Sequence, residues 1–502
     1  MQYRENLALR REPPSSKWAK EVLLSTGNII DYPQLIMDND RYIVAHIDGE
    51  MIKILAADNL GKKLIEKSFP AGGDMPINVH VVTNGEELNL TWITSDKDMK
   101  NIHSLKLDHD FNLKGTNIIN NVEDLKQVGD NLLIIGFKNT IKLIDYRSGN
   151  SSEVSAPLNS LICGAKLDDE YIVAFLNEDY NFNYFLVENG SASEIKNVGV
   201  LKTTSRSNYY NAAVAIEGDK GYVVAEYRYQ AMYGGSKVME FALDGSNYNT
   251  RETSNTEKVV SIFNIMSYTE RSNDGVKFLA GGYRPLGKKE MYEDILELEI
   301  KDGVIANSTP VSRTRALSGF PSGYGDTIVF CDVVGTDYSN LYMTSSREDF
   351  KIANNINRDN EYVLAFLDTV QGILFTFVYL VAYGVLWIIP SFCIASILSL
   401  VEYKYSNRFR KVIFVTAYFI AFLFKIYFIY SIMYRKFGYF LPEYLTPAIG
   451  IGASLALSIV CCIYAFKKYT ANMENNAIPI SFSPMLILDS WFTLFLFIPF
   501  MK

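Results

Sequence analysis

The chain has 502 residues and a mean hydropathy of +0.03, a combination that favours two modules over one ordinary domain. Its formal net charge of -8 argues against a nucleic-acid partner, since phosphate neutralisation needs clustered Lys and Arg that the soluble part lacks. With 5 cysteines the chain is not a disulfide scaffold. Cys163 and Cys331 stand in strand-like apolar stretches and are predicted to be buried free thiols, with a single bridge between them as the alternative.

Residues 1–30 are predicted to be an N-terminal segment or linker. The stretch Met1–Glu21 contains three arginines but no apolar core of signal-peptide length, so it carries no export signal as written. Glu12–Ser16 (EPPSS) has the composition of a linker, which is consistent with an anchor upstream of this sequence.

Residues 31–355 contain a unit that recurs seven times, in which a tight polar turn precedes a short apolar strand and a further strand follows. Turn dipeptides such as Asn84-Gly85 and Gly129-Asp130 are typical of tight hairpins. The strands after the turns are predicted at Tyr42–Ala45, Leu88–Thr91, Leu132–Ile135, Tyr171–Ala174, Tyr222–Ala225, Lys277–Ala280 and Thr327–Phe330. The next strands are predicted at Met51–Ala56, Ile102–Leu107, Ile141–Ile144, Tyr184–Val187, Val238–Leu243, Ile295–Ile300 and Leu341–Thr344.

Successive units begin roughly 40 to 55 residues apart, the period of four-stranded propeller blades. The sequence therefore predicts an all-β head that forms a seven-bladed β-propeller. Glu21–Ser25 is predicted to supply the outer strand of the last blade and so close the ring, which hides the sheet edges. A pair of β-sandwiches or an irregular all-β domain is the alternative, and no repeated Trp-Asp or Tyr-Trp-Thr-Asp motif indicates a particular propeller family.

Residues 362–502 are predicted to form an all-α transmembrane domain, because four apolar runs there approach the ~17 to 25 residues that a spanning helix needs. The four spans are predicted at 366–389, 412–433, 448–466 and 485–500. The first run continues through Pro390 to Val401, which indicates a kinked helix or a short re-entrant piece.

Basic residues in the loops between the spans predict the orientation. The first and third loops lie on one side of the membrane and carry six Lys or Arg, against two in the second loop; the six are Lys404, Arg408, Arg410, Lys411, Lys467 and Lys468, and the two are Arg435 and Lys436. This asymmetry predicts a multi-pass protein of the cell membrane with its head outside the cytoplasm. Such a head needs an export segment upstream, and a cytosolic head is the alternative.

Two ionisable residues, Lys425 and Asp489, fall inside the apolar spans, where an isolated charge is costly. They are predicted to form an intramembrane pair with a structural role, or else to lie apart with Lys425 snorkelling and Asp489 at the membrane interface. A proton or ion path is the alternative. Lys425 lies past the middle of its span and Asp489 near the predicted start of its own. We therefore expect contact only if the lysine side chain reaches back or the helices are offset.

In the head, the 4 histidines do not have the spacing of a metal site, and neither a metal nor another cofactor is predicted. The triplet Asp108-His109-Asp110 is predicted to be a hairpin turn. A cluster of tyrosines in the fifth unit suggests an exposed binding surface that contains Arg228, Tyr229 and Tyr233, with Arg284 in the irregular connection 283–292. Tyr222 and Tyr227 are predicted to pack in the core.

These features predict a non-enzymatic membrane protein whose propeller binds, senses or assembles with protein partners, in contact with the lipid bilayer. Two alternatives remain at this point. One is a transporter or channel subunit that the propeller regulates, which requires a charged lining inside the helix bundle. The other is a propeller hydrolase or lyase, which requires convergent acidic or His residues at the mouth of the propeller.

Overall fold

A computed structural model describes most of the chain. The described residues are 2–29, 31–73, 75–96, 99–158, 161–167, 170–188, 190–200, 207–229, 232–252, 261–268, 275–285, 291–314, 316–335, 338–402, 404–438, 441, 444–471 and 477–498. They divide into two compact units, one formed by Glu12–Arg284 and Tyr292–Ile356, and the other by Met1–Arg11, Pro285–Met291 and Asn357–Lys502.

The first unit is a seven-bladed β-propeller, as the sequence predicts. Within the described residues it contains seven separate antiparallel sheets; six are built from strands that follow one another along the chain, and the last takes its outer strand from the start of the propeller sequence. The strands of blades 1 to 3 are β2 Gln34–Asp38, β3 Arg41–Asp48, β4 Met51–Ala57 and β5 Lys63–Pro70; β6 Ile77–Thr83, β7 Leu88–Asp96, β8 Met99–Leu107 and β9 Leu113–Ile119; β10 Asp124–Val128, β11 Leu132–Gly136, β12 Thr140–Asp145 and β13 Ser151–Ser155.

The remaining blades follow the same plan. Their strands are β14 Ile162–Leu167, β15 Glu170–Leu176, β16 Asn181–Glu188, β17 Ser191–Ala192 and β18 Lys196–Val200; β19 Ser207–Glu217, β20 Lys220–Tyr229, β21 Met232–Ala242 and β22 Tyr248–Glu252; β23 Ser261–Ser267, β24 Val276–Pro285, β25 Met291–Lys301 and β26 Val304–Pro310; β27 Leu317–Tyr324, β28 Thr327–Gly335 and β29 Tyr338–Ser345, joined by β1 Val22–Gly27. In blade 4, both β17 and β18 pair with β16. Each strand predicted after a turn is the second strand of its blade.

Strand β1 closes the ring, as predicted, because it pairs antiparallel with β29 and becomes the outer strand of blade 7. The preceding segment is anchored to the same blade, since the Thr344 hydroxyl donates to the Ala19 carbonyl at 2.8 Å and Trp18 is fully buried. Leu24 lies in the core shared by blades 7 and 1, which also contains Val44 and Met343. The two ends of the propeller sequence are therefore joined by both backbone pairing and apolar packing.

Cys163 and Cys331 are free and buried, which confirms the predicted thiols. Burial raises the pKa of the Cys163 thiol to about 12. In the turn that contains His109, the Asp108 carboxylate accepts hydrogen bonds from the backbone N–H groups of Asp110 and Asn112 at 3.0 and 2.7 Å. This is the local bonding of a turn, as predicted.

The second unit is helical. Its helices are α1 Gln2–Arg11, α3 Asp359–Tyr379, α4 Val385–Glu402, α5 Asn407–Phe428, α6 Pro447–Ala471 and α7 Ile478–Phe497, while α2 Glu348–Asn354 belongs to the propeller unit. Four helical stretches in the described part are long and apolar enough to cross a membrane: Asp359–Glu402, Asn407–Tyr434, Pro447–Ala471 and Ile478–Phe497. The chain is thus a membrane protein with a propeller, and the exposed apolar side chains of these helices, such as Val381, Leu400 and Val460, suit contact with lipid.

The helices extend further than the predicted spans, most of all the first. Its 44 residues continue past 366–389 as one helical stretch, in which α3 passes through a π-helical turn at Leu380–Gly384 into α4. Pro390 lies inside α4 and does not end it. π-helical turns are a recognised way to bend a helix without ending it, so no re-entrant piece is needed.

Helix α1 packs against α3 through polar contacts. Arg10 Nε donates to Asp368 Oδ2 at 2.9 Å, Asn6 Nδ2 donates to Thr369 Oγ1 at 3.1 Å, and the Arg11 guanidinium lies 4.1 Å from the centre of the Tyr362 ring. Arg10 and Arg11 are therefore engaged with the first half of α3, the start of the first membrane-capable stretch. Glu12–Ser16, which has the composition of a linker, is held within the propeller unit, where Ser15 Oγ donates to the Pro310 carbonyl at 2.9 Å.

Candidate functional site

The most organised polar cluster on the propeller lies where the first strands of the blades begin. We call it the rim cluster and define it as Tyr32, Tyr210, Asn211, Glu226 and Arg228. Tyr32 precedes β2, whereas Tyr210 and Asn211 lie near the start of β19, beside the end of β20 that carries the other two. The pairing of β19 with β20 shifts between Tyr209 and Asn211, so Tyr210 is the extra residue of a β-bulge. Bulges commonly re-aim a side chain, and here the bulge frees Tyr210 from the regular alternation.

Glu226 is the centre of this cluster and is fully buried. Its carboxylate accepts hydrogen bonds from the Tyr210 hydroxyl at 2.6 Å, from Asn211 Nδ2 at 2.9 Å and from the backbone N–H of Ile265. Burial raises the pKa of the Glu226 carboxyl, and these hydrogen bonds act in the opposite direction. Because these donors already use the carboxylate, it orders the rim and is poorly placed to act as a general base.

Arg228 is exposed, and its guanidinium carbon lies 4.2 Å from the centre of the Tyr210 ring. This is a cation–π contact, which restrains the side chain without using its hydrogen-bond donors. Within the described residues Arg228 has no recorded ion pair. The tyrosine is in turn fixed by its bond to Glu226, so the rim presents a pre-positioned guanidinium whose N–H groups are available to a partner.

Tyr32 connects this cluster to the neighbouring blades. Its hydroxyl accepts from Asn211 Nδ2 at 3.2 Å and donates to Asn264 Oδ1 at 3.4 Å, while its ring meets Phe320 edge-on with the centroids 5.3 Å apart. Burial and the nearby Glu226 carboxylate raise the pKa of Tyr32. Blades 1, 5, 6 and 7 are thereby linked across the mouth of the central channel.

The residues predicted to form the binding surface are only partly described. Arg228 is exposed, and the side chains of Tyr229, Tyr233 and Arg284 lie outside the described part of the structure. Tyr222 is buried in the core, whereas Tyr227 is half-buried and meets Tyr209 edge-on. Sequence reasoning missed Tyr32 and Glu226, because Tyr32 stands 179 positions from Asn211 and no local pattern joins them.

The structure brings the two intramembrane ionisable residues together. Lys425 of α5 and Asp489 of α7 are 1% and 2% exposed, and Lys425 Nζ donates to both Asp489 oxygens at 2.9 Å. The predicted span placed Asp489 near the start of its helix, at a different depth from Lys425. In the structure α7 begins at Ile478, so Asp489 lies near the middle of the helix and the two residues are not offset. The first turns of α7 have a lower hydropathy than the rest of the helix because they contain Pro479, Ser481, Ser483 and Pro484. The start of the helix therefore cannot be located from hydropathy alone.

Hydroxyl groups from two helices complete this intramembrane network. Ser458 Oγ of α6 donates to the Asp489 oxygens at 3.0 and 2.9 Å and also contacts Lys425 Nζ, while Thr493 Oγ1 accepts from Lys425 at 3.2 Å. The backbone oxygen of Ser454 is a further acceptor, at 3.3 Å. Gly450, Ser454 and Ser458 recur every four residues on a buried face of α6, so small side chains let this helix approach the pair closely.

Across the described ranges, no group of three or more His, Cys, Asp or Glu side chains could hold a metal ion. The acids of the rim and of the bundle are instead satisfied by hydrogen-bond donors and by Lys425. The chemical groups that these two sites present are a guanidinium, hydroxyl groups and an enclosed ion pair.

No protein-family model matches the chain, and no curated protein matches it. Among solved structures, it is similar to the β-propeller domain of the Trilobed protease from Pyrococcus furiosus, with 10% identity and a TM-score of 0.39 over 64% of this chain and 97% of that one. It is also similar to BBS1N, solved in complex with ARL6DN, with 10% identity and a TM-score of 0.38 over 65% of this chain and 97% of that one.

Proposed function

We propose that this chain is a multi-pass membrane protein that holds its propeller outside the cytoplasm as a binding domain for a protein partner, with no catalytic role. The observation that carries the proposal is the pre-positioned guanidinium of Arg228, which rests on Tyr210, itself held by Glu226. Arginine and tyrosine are enriched among the residues that dominate binding energy, because they bring large contact area and directional hydrogen bonds. A partner that presents a carboxylate to this rim fits the free donors of Arg228.

The orientation in this proposal rests on the distribution of basic residues. Arg408, Arg410 and Lys411 lie in the first turns of α5, and Lys467 and Lys468 lie near the end of α6. These groups belong to the same side of a four-span bundle, and the excess of positive charge on that side is characteristic of the cytoplasm. The propeller, which precedes the first span, then lies on the opposite side.

The intramembrane network supports assembly of the bundle in this proposal, and a transport path is less well supported. A transported proton or ion needs a group that is left open to it. Lys425 instead contacts the carboxylate of Asp489, two hydroxyl groups and a backbone carbonyl, all of them buried. The hydrolase alternative is similarly weakened, since Glu226 at the channel mouth is already hydrogen-bonded.

The binding role is tested by reversing the charge at the rim. The full-length protein is solubilised from its native membrane in mild detergent, and the mass of its complex is compared between the natural chain and Arg228→Asp. The matched control is Arg251→Asp, an exposed arginine in β22, the outer strand of the same blade. We expect a complex larger than the protein alone that only Arg228→Asp disrupts. The same mass for all three chains would contradict the proposal.

A further inference from the structure

The propeller contains a partly open cavity of about 100 Å³ between the first strands of its blades. The first strands of all seven blades contribute to its walls, from β2 in blade 1 to β27 in blade 7. A site for one water needs ~10 to 15 Å³ of such space, so the cavity has room for several waters or for one small molecule of similar size. Cavities of this kind are candidate ligand sites when a few polar groups converge on them.

The two halves of this cavity differ in chemistry. Blades 7, 1 and 3 contribute Ser322, Gln34 and Lys126, whereas blades 4, 5 and 6 contribute Cys163, Ala212 and Ile265. The polar side chains on the second half are engaged: Asn211 belongs to the rim cluster, Lys166 pairs with Asp130 at 3.3 Å, and Ser267 Oγ accepts from the Val214 N–H at 3.0 Å. The cavity therefore has one wall with polar groups and an opposite wall that is largely apolar.

The polar groups on the first wall have hydrogen-bonding capacity that the protein leaves unused. Gln34 is 5% exposed and Ser322 is 2% exposed, yet neither side chain has a recorded hydrogen bond within the described ranges. Both line the cavity, where a polar group without a protein partner requires water or a ligand. Two such groups from different blades, facing one space, indicate a built site.

Lys126 adds a positive charge to the same wall. Lys126 lines the cavity, and its positive charge opposes the effect of burial, which raises the pKa of the Asp31 and Asp124 carboxyls. It nevertheless has no ion pair or hydrogen bond recorded within the part of the chain that the structure describes. A half-buried ammonium attracts an anion more strongly than an ammonium in bulk water, and this attraction offsets the cost of desolvating the two charges.

The acids near Lys126 are already used by the backbone. Asp31 accepts from the N–H groups of Tyr32 and Asn78 at 2.7 and 2.6 Å. Asp124 accepts from the N–H groups of Leu125 and Ile162 at 2.9 and 3.3 Å. These carboxylates tie adjacent blades together, because Asn78 and Ile162 belong to the blades that follow. Lys126 interacts with both acids through its charge but donates no hydrogen bond to either within the described residues, so its N–H groups are available to a ligand.

We propose that the cavity binds a small organic acid, whose carboxylate lies against Lys126, Gln34 and Ser322 and whose short aliphatic part lies against Ala212 and Ile265. The ammonium supplies the charge, while the amide and hydroxyl supply directional hydrogen bonds. The apolar wall selects for a carbon chain over an inorganic anion. This ligand site lies inside the propeller and adjoins the rim cluster, because Tyr32 and Asn211 also line the cavity.

The test uses the purified full-length protein in detergent and titrates it with butyrate, the uncharged butyramide and inorganic phosphate, with binding measured by calorimetry. We expect saturable butyrate binding with a dissociation constant of about 1 mM or tighter, within reach of a ligand of roughly six non-hydrogen atoms. Lys126→Met is expected to weaken it at least tenfold, and Ser322→Ala several-fold. The control Lys114→Met, at a surface lysine paired with Glu87, is expected to leave it unchanged.

Each other result overturns the proposal. If none of the probes binds, the cavity holds only water. If phosphate binds and butyrate does not, the apolar wall plays no part and the ligand class is wrong. If butyrate binds equally to the natural chain and to Lys126→Met and Ser322→Ala, and both variants unfold at the natural temperature, the site lies elsewhere.

Discussion

Lys425 and Asp489 form an ion pair in which one ammonium donates to both oxygens of one carboxylate, each at 2.9 Å, between helices α5 and α7. The residues stand 64 positions apart and are almost completely buried. Their hydrogen-bonding partners come from α6 as well as α7, so the network joins three of the four membrane-capable helices. Breaking such a pair from one side leaves an uncompensated charge, which is the source of most of its energetic effect.

The first prediction concerns this pair. Lys425→Met and Asp489→Leu are each expected to destabilise the bundle by about 3 to 5 kcal/mol, because each leaves one buried charge unpaired. The double variant is expected to recover most of that loss, since it leaves neither charge. Thermal unfolding in detergent measures the effect, with Lys467→Met at an exposed site as control. Single variants as stable as the natural chain would contradict a structural role.

The second prediction concerns ring closure. Leu24→Ala is expected to destabilise the propeller by about 2 to 5 kcal/mol, since Leu24 is 3% exposed and packs in the core between blades 7 and 1. Leu23→Ala is the matched control on the same strand, because Leu23 is 51% exposed. Denaturant unfolding distinguishes the two. Equal effects at the two positions would mean that β1 does not hold the ring together through its buried face.

The third prediction concerns His46, which is fully buried and whose ring nitrogens have no hydrogen-bond partner among the described residues. Burial lowers the pKa of His46 from 6.5 to about 4. The folded pKa of His46 lies below its unfolded value, so protonation of the ring opposes folding. The contribution of the neutral ring to the free energy of unfolding is therefore intact above pH 6.5 and is lost as the pH falls towards 4. His46→Leu is expected to stabilise the propeller and to reduce its loss of stability over that range.

Unfolding temperatures of the natural chain and His46→Leu, measured between pH 7 and pH 4, check this expectation. His80→Leu is the comparison. It removes a buried histidine whose Nε2 donates to the Leu125 carbonyl at 3.0 Å, and it is expected to destabilise the fold at neutral pH. If the unfolding temperatures of the natural chain and of His46→Leu change in parallel with pH, the assigned role of His46 is contradicted.

The fourth prediction concerns Asp332, which is 2% exposed and accepts a hydrogen bond from Ser318 Oγ at 2.6 Å. Burial raises the pKa of Asp332 from 3.8 to about 7. The folded pKa of Asp332 lies above its unfolded value, so ionisation of the carboxyl opposes folding. The contribution of the protonated carboxyl to the free energy of unfolding is therefore complete below pH 3.8 and is lost as the pH rises through about 7.

Asp332→Asn is therefore expected to raise the unfolding free energy at pH 8 by on the order of 2 kcal/mol and to change it little at pH 4. Denaturant titrations at the two pH values measure the difference. A variant that is less stable than the natural chain at pH 8 would show that the charged carboxylate stabilises the fold.

The blades could be predicted from the sequence because each second strand follows a turn dipeptide and buries both faces, as in Tyr42–Ala45 and Tyr171–Ala174. The ring closure followed from Glu21–Ser25, where an unassigned strand precedes the first unit. The rim cluster could not be predicted, because Tyr32, Glu226 and Asn264 meet only when blades 1, 5 and 6 close around the channel. A bulge at Tyr210 has no local signature either.

In the membrane part, too, some features could be predicted from the sequence and others could not. Lys425 and Asp489 stood out because charges are rare in apolar spans, whereas Ser458 and Thr493 are common residues whose role depends on which helix faces meet. The helices are longer than the predicted spans because they continue into stretches of lower hydropathy, such as Asp359–Ala365 and Ile478–Pro484. Hydrogen bonding determines where a helix ends, while hydropathy indicates how much of it suits lipid.

The orientation of the propeller is the central claim, and site-specific thiol labelling on intact cells tests it most directly. In a chain whose five cysteines have been replaced, Glu86→Cys places a thiol at an exposed propeller turn, and Tyr405→Cys places one between α4 and α5. A membrane-impermeant reagent is predicted to label the first in intact cells and the second only after the membrane is broken. Labelling of Tyr405→Cys in intact cells, with Glu86→Cys protected, would place the propeller in the cytosol and contradict the account.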